Sequence, residues 1–195
     1  MTPKSRITRQ TKETNIDLEL ELDGQGLVDI DTGIPFLDHM LQLFAAHGYF
    51  DLKLKAVGDL EVDEHHTVED IGICLGHAFK EALAARPGFR RFGAARVPMD
   101  EALAMVTVDL SNRPFLHFDV TFKNPGGAGL DPQLVKEFWR AVSLHGGMTL
   151  HIEVPYGDNT HHIIEAVFKA AARALDAATQ PEPRTQGTPS TKGVL

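Results

Sequence analysis

The stretch His65-His66-Thr67-Val68-Glu69 has a matching copy almost a hundred residues later, His161-His162-Ile163-Ile164-Glu165. Each copy opens a segment with helical periodicity, over residues 71–83 and 167–178. Positions three or four apart on a helix share a face, so the glutamate of each copy lies beside its two histidines. The sequence therefore predicts a duplicated fold in which each half carries one His-His-Glu cluster.

The repeat continues on the N-terminal side of both motifs. In each half, an amphipathic helix ends at a His-Gly pair, and an alternating strand follows. The two pairs are His47-Gly48 and His145-Gly146, and the same spacing matches His39 with Glu137. A second helix and a second strand are thus predicted in each half.

Further upstream, residues 16–22 and 104–110 alternate between apolar and polar side chains, as half-buried strands do. In this register Glu13 corresponds to Glu101. The pairs Asp23-Gly24 and Ser111-Asn112 follow the strands and predict hairpin turns.

The predicted fold class is α+β: an internally duplicated unit of a mixed β-sheet with two helices on one face, with the two halves packed together. We expect a first half over residues 1–87, a second half over 88–180, and a loop-like tail over 181–195, all forming one functional unit. The tail is rich in Pro, Thr, Gly and Ser, so a ligand or a neighbouring chain would be needed to order it.

Composition narrows the function. The 195 residues carry a formal charge of −8 and are 43% hydrophobic, which suits a buried core and argues against nucleic-acid or membrane-surface partners. Cys74 is the only cysteine, so an intramolecular disulfide and a thiolate zinc site are excluded, and a reducing cytoplasm is expected. We find no apolar leader and no run long enough to span a bilayer. The ten histidines are the unusual feature of the composition.

Imidazole and carboxylate together suit borderline divalent ions such as manganese, iron or zinc, and two clusters suggest two metals. Neighbouring residues on a helix diverge by about 100°, so the adjacent histidines of each pair should serve different metals. Each metal would then collect ligands from both halves or from two subunits. Glu137 is either a ligand or an ordinary solvated helix charge. The candidate ligands are His39, His65, His66, Glu69, Glu137, His161, His162 and Glu165.

The remaining histidines are weaker candidates for metal ligands. His77, His117 and His151 lack a comparable context and are expected to be structural. His47 and His145 lie at helix ends, where an imidazolium can satisfy carbonyls and the helix dipole. His47 could also face the site.

The longest motifs resemble the signatures of the imidazoleglycerol-phosphate dehydratase family. They are Gly33-Ile34-Pro35-Phe36-Leu37-Asp38-His39-Met40, Asp63-Glu64-His65-His66-Thr67-Val68-Glu69-Asp70 and Asn159-Thr160-His161-His162-Ile163-Ile164-Glu165-Ala166, with shorter matches from Thr11 to Gly193. The resemblance implies a duplicated fold related to the second domain of ribosomal protein S5. It also implies a two-manganese site at subunit contacts and a large octahedral homo-oligomer. Many family members carry a histidine where this chain has Glu137, and a carboxylate ligand is the preferred interpretation.

The implied reaction is dehydration of D-erythro-imidazole glycerol phosphate to imidazole acetol phosphate in L-histidine biosynthesis. The hypothesis is that two Mn²⁺ ions bind the substrate ring as an imidazolate, which expels the neighbouring hydroxyl. Loss of a carbon-bound proton then gives an enol and the ketone. The resemblance makes Glu13 the acid–base candidate. The implied phosphate ligands are Arg91, Arg113, Lys169, Ser190 and Lys192, and the other implied substrate contacts are His39, His47, His65, Glu69 and His161.

Two other functions are weighed against this one. A dinuclear phosphohydrolase would also use two metals, but such sites usually depend on aspartates rather than on histidines. A non-enzymatic RNA-binding module is disfavoured by the net charge and by the absence of a basic stripe.

Overall fold

Two four-stranded sheets with the same strand order make up the fold, one in each half of the chain. The computed structural model describes residues 3–86, 88–123, 129–185, 187 and 189–192. Its elements are β1 (Lys4–Gln10), β2 (Thr14–Glu21), β3 (Val28–Asp31), α1 (Pro35–Gly48), β4 (Asp51–Gly58), α2 (His65–Ala84), β5 (Phe92–Met99), β6 (Ala102–Asp109), β7 (Phe115–Asp119), α3 (Pro132–Gly146), β8 (Thr149–Tyr156) and α4 (Thr160–Thr179).

The strand orders are β1-β2-β4-β3 and β5-β6-β8-β7. In each sheet one pair is parallel, β3 with β4 and β7 with β8, and the other pairs are antiparallel. α1 and α3 make the crossovers between the parallel strands, as such pairs require. The predicted α+β fold with duplicated halves is confirmed. The division at 87/88 and at 180/181 stays a prediction.

The hairpins predicted at Asp23-Gly24 and Ser111-Asn112 are wrong. The hairpin turns instead join β1 to β2 and β5 to β6. After β2 the chain crosses the end of β4, because the Asp51 carboxylate accepts hydrogen bonds from the backbone N–H groups of Gln25 (2.8 Å) and Leu27 (2.9 Å). β3 then lies at the far edge of the sheet, parallel to β4.

Alternating apolar residues of the central strands form the core. One face of the first sheet is covered by α1 and α2, and one face of the second by α3 and α4. The two helical layers then face each other, α2 against α3 and α1 against α4. Six fully buried aromatic side chains fill the space between them: Phe44, Phe50, Phe79, Phe138, Trp139 and Phe168.

Two glycines bring α2 and α3 unusually close. A Cβ atom on Gly72 would lie 2.7 Å from the Phe138 carbonyl oxygen, and one on Gly76 would lie 2.8 Å from both the Val142 carbonyl oxygen and the Gly146 nitrogen. Because the opposing atoms are backbone, only glycine fits without moving a helix. This contact places the two halves of the duplicated chain at a fixed distance.

A buried arginine ties the ends of the two halves together. The Arg86 guanidinium donates to the Thr179 carbonyl oxygen at 2.6 Å and also bonds the Asp23 carboxylate. Arg86 is 8% exposed, so its guanidinium is shielded from water, whereas the Asp23 side chain is 40% exposed. Across the residues described, we find no helix with both the length and the apolar character needed to cross a membrane.

Candidate metal centre

Three ligand-type side chains from both halves meet between α1 and α4. The ligand atoms of His39, His161 and Glu165 all lie within 4.8 Å of one another. The Glu165 Oε2 atom is 3.1 Å from His161 Nε2 and 3.8 Å from His39 Nε2. Two imidazoles and one carboxylate at this spacing fit a borderline divalent cation, with open positions left for other ligands.

Local sequence sets the position of each ligand. α1 begins at Pro35, whose fixed φ suits the first helical position. The preceding loop is held because the Asp38 carboxylate accepts from the Thr32 backbone N–H (3.0 Å) and hydroxyl (2.6 Å). His39 therefore projects from the N-terminal part of α1. At the other helix, Asn159 caps α4 by accepting from the His161 backbone N–H at 2.9 Å.

A lysine neutralises the buried carboxylate of this group. Lys169 Nζ lies 2.5 Å from Glu165 Oε1; the Glu165 side chain is buried and that of Lys169 is half-buried. Burial by itself would raise the pKa of Glu165, but Lys169 and His161 outweigh it and hold that pKa below its usual value. Glu165 is therefore ionised at neutral pH and ready to bind a cation.

The equivalent group also draws on both halves, with His65 and Glu69 on α2 and Glu137 on α3. His65 Nε2 is 3.7 Å from Glu69 Oε2. Arg140 joins the two carboxylates of this group, with Nε 2.7 Å from Glu137 and an Nη atom 3.2 Å from Glu69. The group mirrors the first one, with Glu137 in the place of His39. In the part of the chain that the structure describes, it does not close to the three-ligand spacing of the first group.

The second histidine of each pair points away from these groups. His66 Nδ1 is 3.0 Å from Asp59, and His162 Nδ1 is 2.7 Å from Glu101. The Asp59 hydrogen bond raises the pKa of His66, and the Glu101 hydrogen bond raises the pKa of His162. In return, His162 lowers the pKa of Glu101 to about 2.

Glu13 lies on the turn between β1 and β2 and is exposed. Among the described residues its carboxylate makes no hydrogen bond or ion pair, although its charge helps to raise the pKa of His66. This differs from Glu101, its counterpart in the repeat, which bonds His162 and the backbone N–H of Asn159. Glu13 is thus free to contact another group.

The predicted phosphate ligands fall into two places. The Arg91 guanidinium donates two hydrogen bonds to the Asp109 carboxylate, at 2.6 and 3.1 Å. It also donates to the Pro189 carbonyl oxygen of the tail at 2.9 Å. Arg113 lies 3.6 Å from the same Asp109. Nearby in the tail, the Ser190 hydroxyl accepts from the Lys192 backbone N–H. Lys169 instead lies with Glu165, so one chain does not bring all these cations together.

His47, in the last turn of α1, lies within range of the charges of Lys169, Arg173 and Glu165. Burial lowers its pKa, and the charges of Lys169 and Arg173 lower it further against the opposing charge of Glu165. The ring is therefore neutral at pH 7 rather than the helix-capping cation that its position suggested. Its backbone carbonyl accepts from Arg173 at 3.4 Å.

Sequence reasoning missed three polar residues around these groups. Asp59 precedes the first motif without any helical or alternating pattern to mark it. Arg140 has the pattern of a solvated helix charge. Glu101 could have been found, since the repeat already paired it with Glu13.

The fold and these groups define a class of duplicated α+β proteins in which both halves contribute to a candidate metal site. A model of the imidazoleglycerol-phosphate dehydratase family matches residues 32–175. The chain belongs to that family.

Other imidazoleglycerol-phosphate dehydratases match the chain over nearly its whole length, which supports its membership of the family. The dehydratase of Shouchella clausii is 59% identical over 189 residues, covering 97% of each chain. That of Acetivibrio thermocellus is 54% identical over the full length of both. Among solved structures, the Staphylococcus aureus dehydratase superposes with a TM-score of 0.83 at 39% identity, covering 92% of this chain and 99% of that one. The Pyrococcus furiosus enzyme in complex with (S)-C348 gives 0.85 at 42% identity, covering 97% and 100%.

The family resemblance and the enzyme class predicted from the motifs are therefore confirmed. The chain is a hydro-lyase of histidine biosynthesis. The ligand and substrate roles of the individual residues stay predictions.

Proposed function

We propose that the chain dehydrates D-erythro-imidazole glycerol phosphate to imidazole acetol phosphate with two Mn²⁺ ions per active site. The observation that carries the proposal is the convergence of His39, His161 and Glu165 from opposite halves of the chain. Its mirror group, with Glu137 in the place of His39, supports a second metal. When bound, the two ions would supply positive charge that lowers the pKa of the substrate's imidazole ring.

The chain's own residues would hold those ions in two sets. His39, His161 and Glu165 form one set, and His65, Glu69 and Glu137 form the other. Arg140 compensates the two carboxylates of the second set, so it would have to move when a cation binds between them. We expect the second set to bind manganese more weakly, because Arg140 bridges both of its carboxylates, whereas Lys169 bonds only Oε1 of Glu165 and leaves Oε2 beside the two histidines.

His66 and His162 diverge from both sets, so they would complete sites that are shared with another copy of the chain. This supports active sites at contacts between subunits. We expect the homo-oligomer to be of the large octahedral type, with no nucleic-acid or membrane partner. A cytoplasmic location agrees with a biosynthetic enzyme. Light scattering on the wild type and on His162→Asn tests the assembly. A fully active monomer would contradict shared sites.

Glu13 would hold and move the proton at the leaving hydroxyl or at the adjacent carbon. Its carboxylate is exposed and uncommitted on the same side of the chain as His66, which suits a group that contacts substrate. Glu13→Gln should lower kcat by ~10²- to 10⁴-fold, the usual contribution of a general acid–base, with manganese content unchanged. Glu81→Gln, an exposed charge change on α2, is the control. Near-normal turnover of Glu13→Gln would exclude the role.

Arg91, Arg113, Lys169, Ser190 and Lys192 would bind the phosphate. The exposed Arg113 guanidinium could match its oxygens bidentately, whereas Arg91 would first have to release Asp109. The contact between Arg91 and the tail at Pro189 supports a tail that closes over the phosphate. The separation of Lys169 from Arg91 supports a site built from more than one chain. Deleting the residues after Thr185 should raise KM strongly, and an unchanged KM would rule the tail out.

Manganese content tests the ligand assignment directly. Wild-type chain should carry two equivalents by elemental analysis, and His161→Asn and His65→Asn should each lose one. His117→Asn removes an imidazole outside both sets and should keep both ions. If His161→Asn retains two equivalents, the assignment to the α1–α4 group is wrong.

A further inference from the structure

Two histidines outside the candidate catalytic groups meet across the contact between α2 and α3. His77 lies on α2, and His145 lies in the last turn of α3. Their ring centroids are 4.9 Å apart, and His145 Nδ1 is 3.2 Å from His77 Nε2. The contact exists because Gly76, next to His77, admits the backbone of Gly146, next to His145.

The distance between the two nitrogens matches chelation of one metal ion. Two imidazole nitrogens bound at ~2.0–2.1 Å, with an angle of roughly 90–109° at the metal, lie ~2.8–3.4 Å apart. The observed 3.2 Å falls in that range. Without metal, one ring donates its N–H to the other. Binding requires that this ring carry its proton on its outer nitrogen instead, and that both rings turn so that their lone pairs point to the same position.

The surroundings of the pair keep the His145 ring in its neutral form. Burial, His77 and Arg9 lower the pKa of His145 in that order, against the opposing charges of Glu69 and Asp70. Its ring is therefore neutral at pH 7, which is the form that binds metal. Arg9 is itself paired with Asp70 at 2.9 Å, so its charge is compensated. His77 is exposed, which leaves the remaining coordination positions open to water.

We propose that His77 and His145 bind a borderline divalent cation that clamps the two halves of the chain together. A ligand set of two neutral nitrogens and water selects copper, nickel or zinc over manganese, following the general order of divalent affinities. The site is separate from the His39 and His65 groups and does not depend on the proposed dehydratase chemistry.

The test is a nickel titration of the manganese-loaded protein, followed by calorimetry, with nickel and manganese measured by elemental analysis. Wild type should take up one nickel ion per chain without losing manganese. His77→Gln and His145→Gln should each weaken this event at least tenfold, while His117→Gln should not. Manganese-dependent turnover of the two variants should equal that of the wild type, so a failed dehydratase assay would not be confused with a failed nickel site.

A thermal readout gives an independent check. Nickel should raise the Tm of the manganese-loaded wild type by several degrees and leave that of His77→Gln unchanged, because the ion joins helices from opposite halves. Equal nickel uptake by wild type and both variants would overturn the proposal. So would nickel uptake that is matched by loss of manganese in every protein.

Discussion

Replacing Gly76 with alanine should force α2 and α3 apart. The new methyl group would lie 2.8 Å from the Val142 carbonyl oxygen and 2.8 Å from the Gly146 nitrogen. Ordinary contact begins near 3.4 Å, so the helices must separate by about 0.6 Å. Since both opposing atoms are backbone, no side chain can turn aside to make room.

The size of the effect is a difference between two opposing contributions. Overpacking a tightly packed contact costs ~1–3 kcal/mol, and two backbone contacts under 3.0 Å place this substitution in the upper part of that range. Alanine in place of glycine within a helix stabilises the helix by ~1 kcal/mol, because of its higher helix propensity. The net loss is therefore ~2 kcal/mol, which lowers the Tm of a chain of this size by roughly 4–8 °C.

Calorimetry of metal-free Gly76→Ala measures the loss of stability, with Glu81→Ala on the exposed face of α2 as the control for helix propensity. The same variant should bind less manganese at the His65 group, because Glu69 and Glu137 lie on the separated helices. The His161 group on α1 and α4 should keep its ion. A Tm equal to or above that of the wild type would refute the close approach of the two helices.

Two further predictions concern ion pairs. In metal-free protein, the raised pKa of His162 makes its pairing with Glu101 most stabilising below pH 6.5, and the stabilisation is lost as the pH rises through that raised pKa. The pKa of Glu101 is lowered from 4.5 to about 2, so the stabilisation that ionised Glu101 contributes is lost as the pH falls towards 2. The Tm difference between wild type and Glu101→Gln should therefore be largest between pH 4.5 and 6.5, and a constant difference from pH 4 to 9 would contradict the pairing. Arg86→Met removes the contacts of Arg86 with Asp23 and Thr179. The free energy of unfolding should fall by ~2–3 kcal/mol. This is less than breaking a fully buried ion pair costs, because Asp23 is 40% exposed. Urea unfolding measures it, and an unchanged midpoint would show that this tie is unimportant.

The four helices and the central strands were predictable because their signals are local. α2 and α4 follow from apolar periodicity after the His-His pairs, and β2 and β6 follow from strict alternation. The edge strands were not predicted. β1 and β5 alternate only between exposed and half-buried residues in most positions, so neither face carries a clear apolar signal. β3 has four residues, too few for a period to be measured.

The site was predictable as a list of residues but not as a geometry. The helical offset placed Glu165 beside His161, and the repeat singled out His39, but no local rule brings α1 against α4. That contact depends on the packing of two halves far apart in sequence. Arg140 illustrates the same limit, because its carboxylate partners come from α2 as well as from its own helix.

Turnover of metal-stripped protein with imidazole glycerol phosphate tests the central claim most directly, with manganese restored stepwise and both ketone and free phosphate recorded. The account predicts no product without metal, ketone that rises with manganese up to two equivalents per chain, and no phosphate release. Ketone formation by the stripped protein would contradict the role of the metal. Phosphate release without ketone would contradict the dehydratase and indicate a metal-dependent phosphohydrolase.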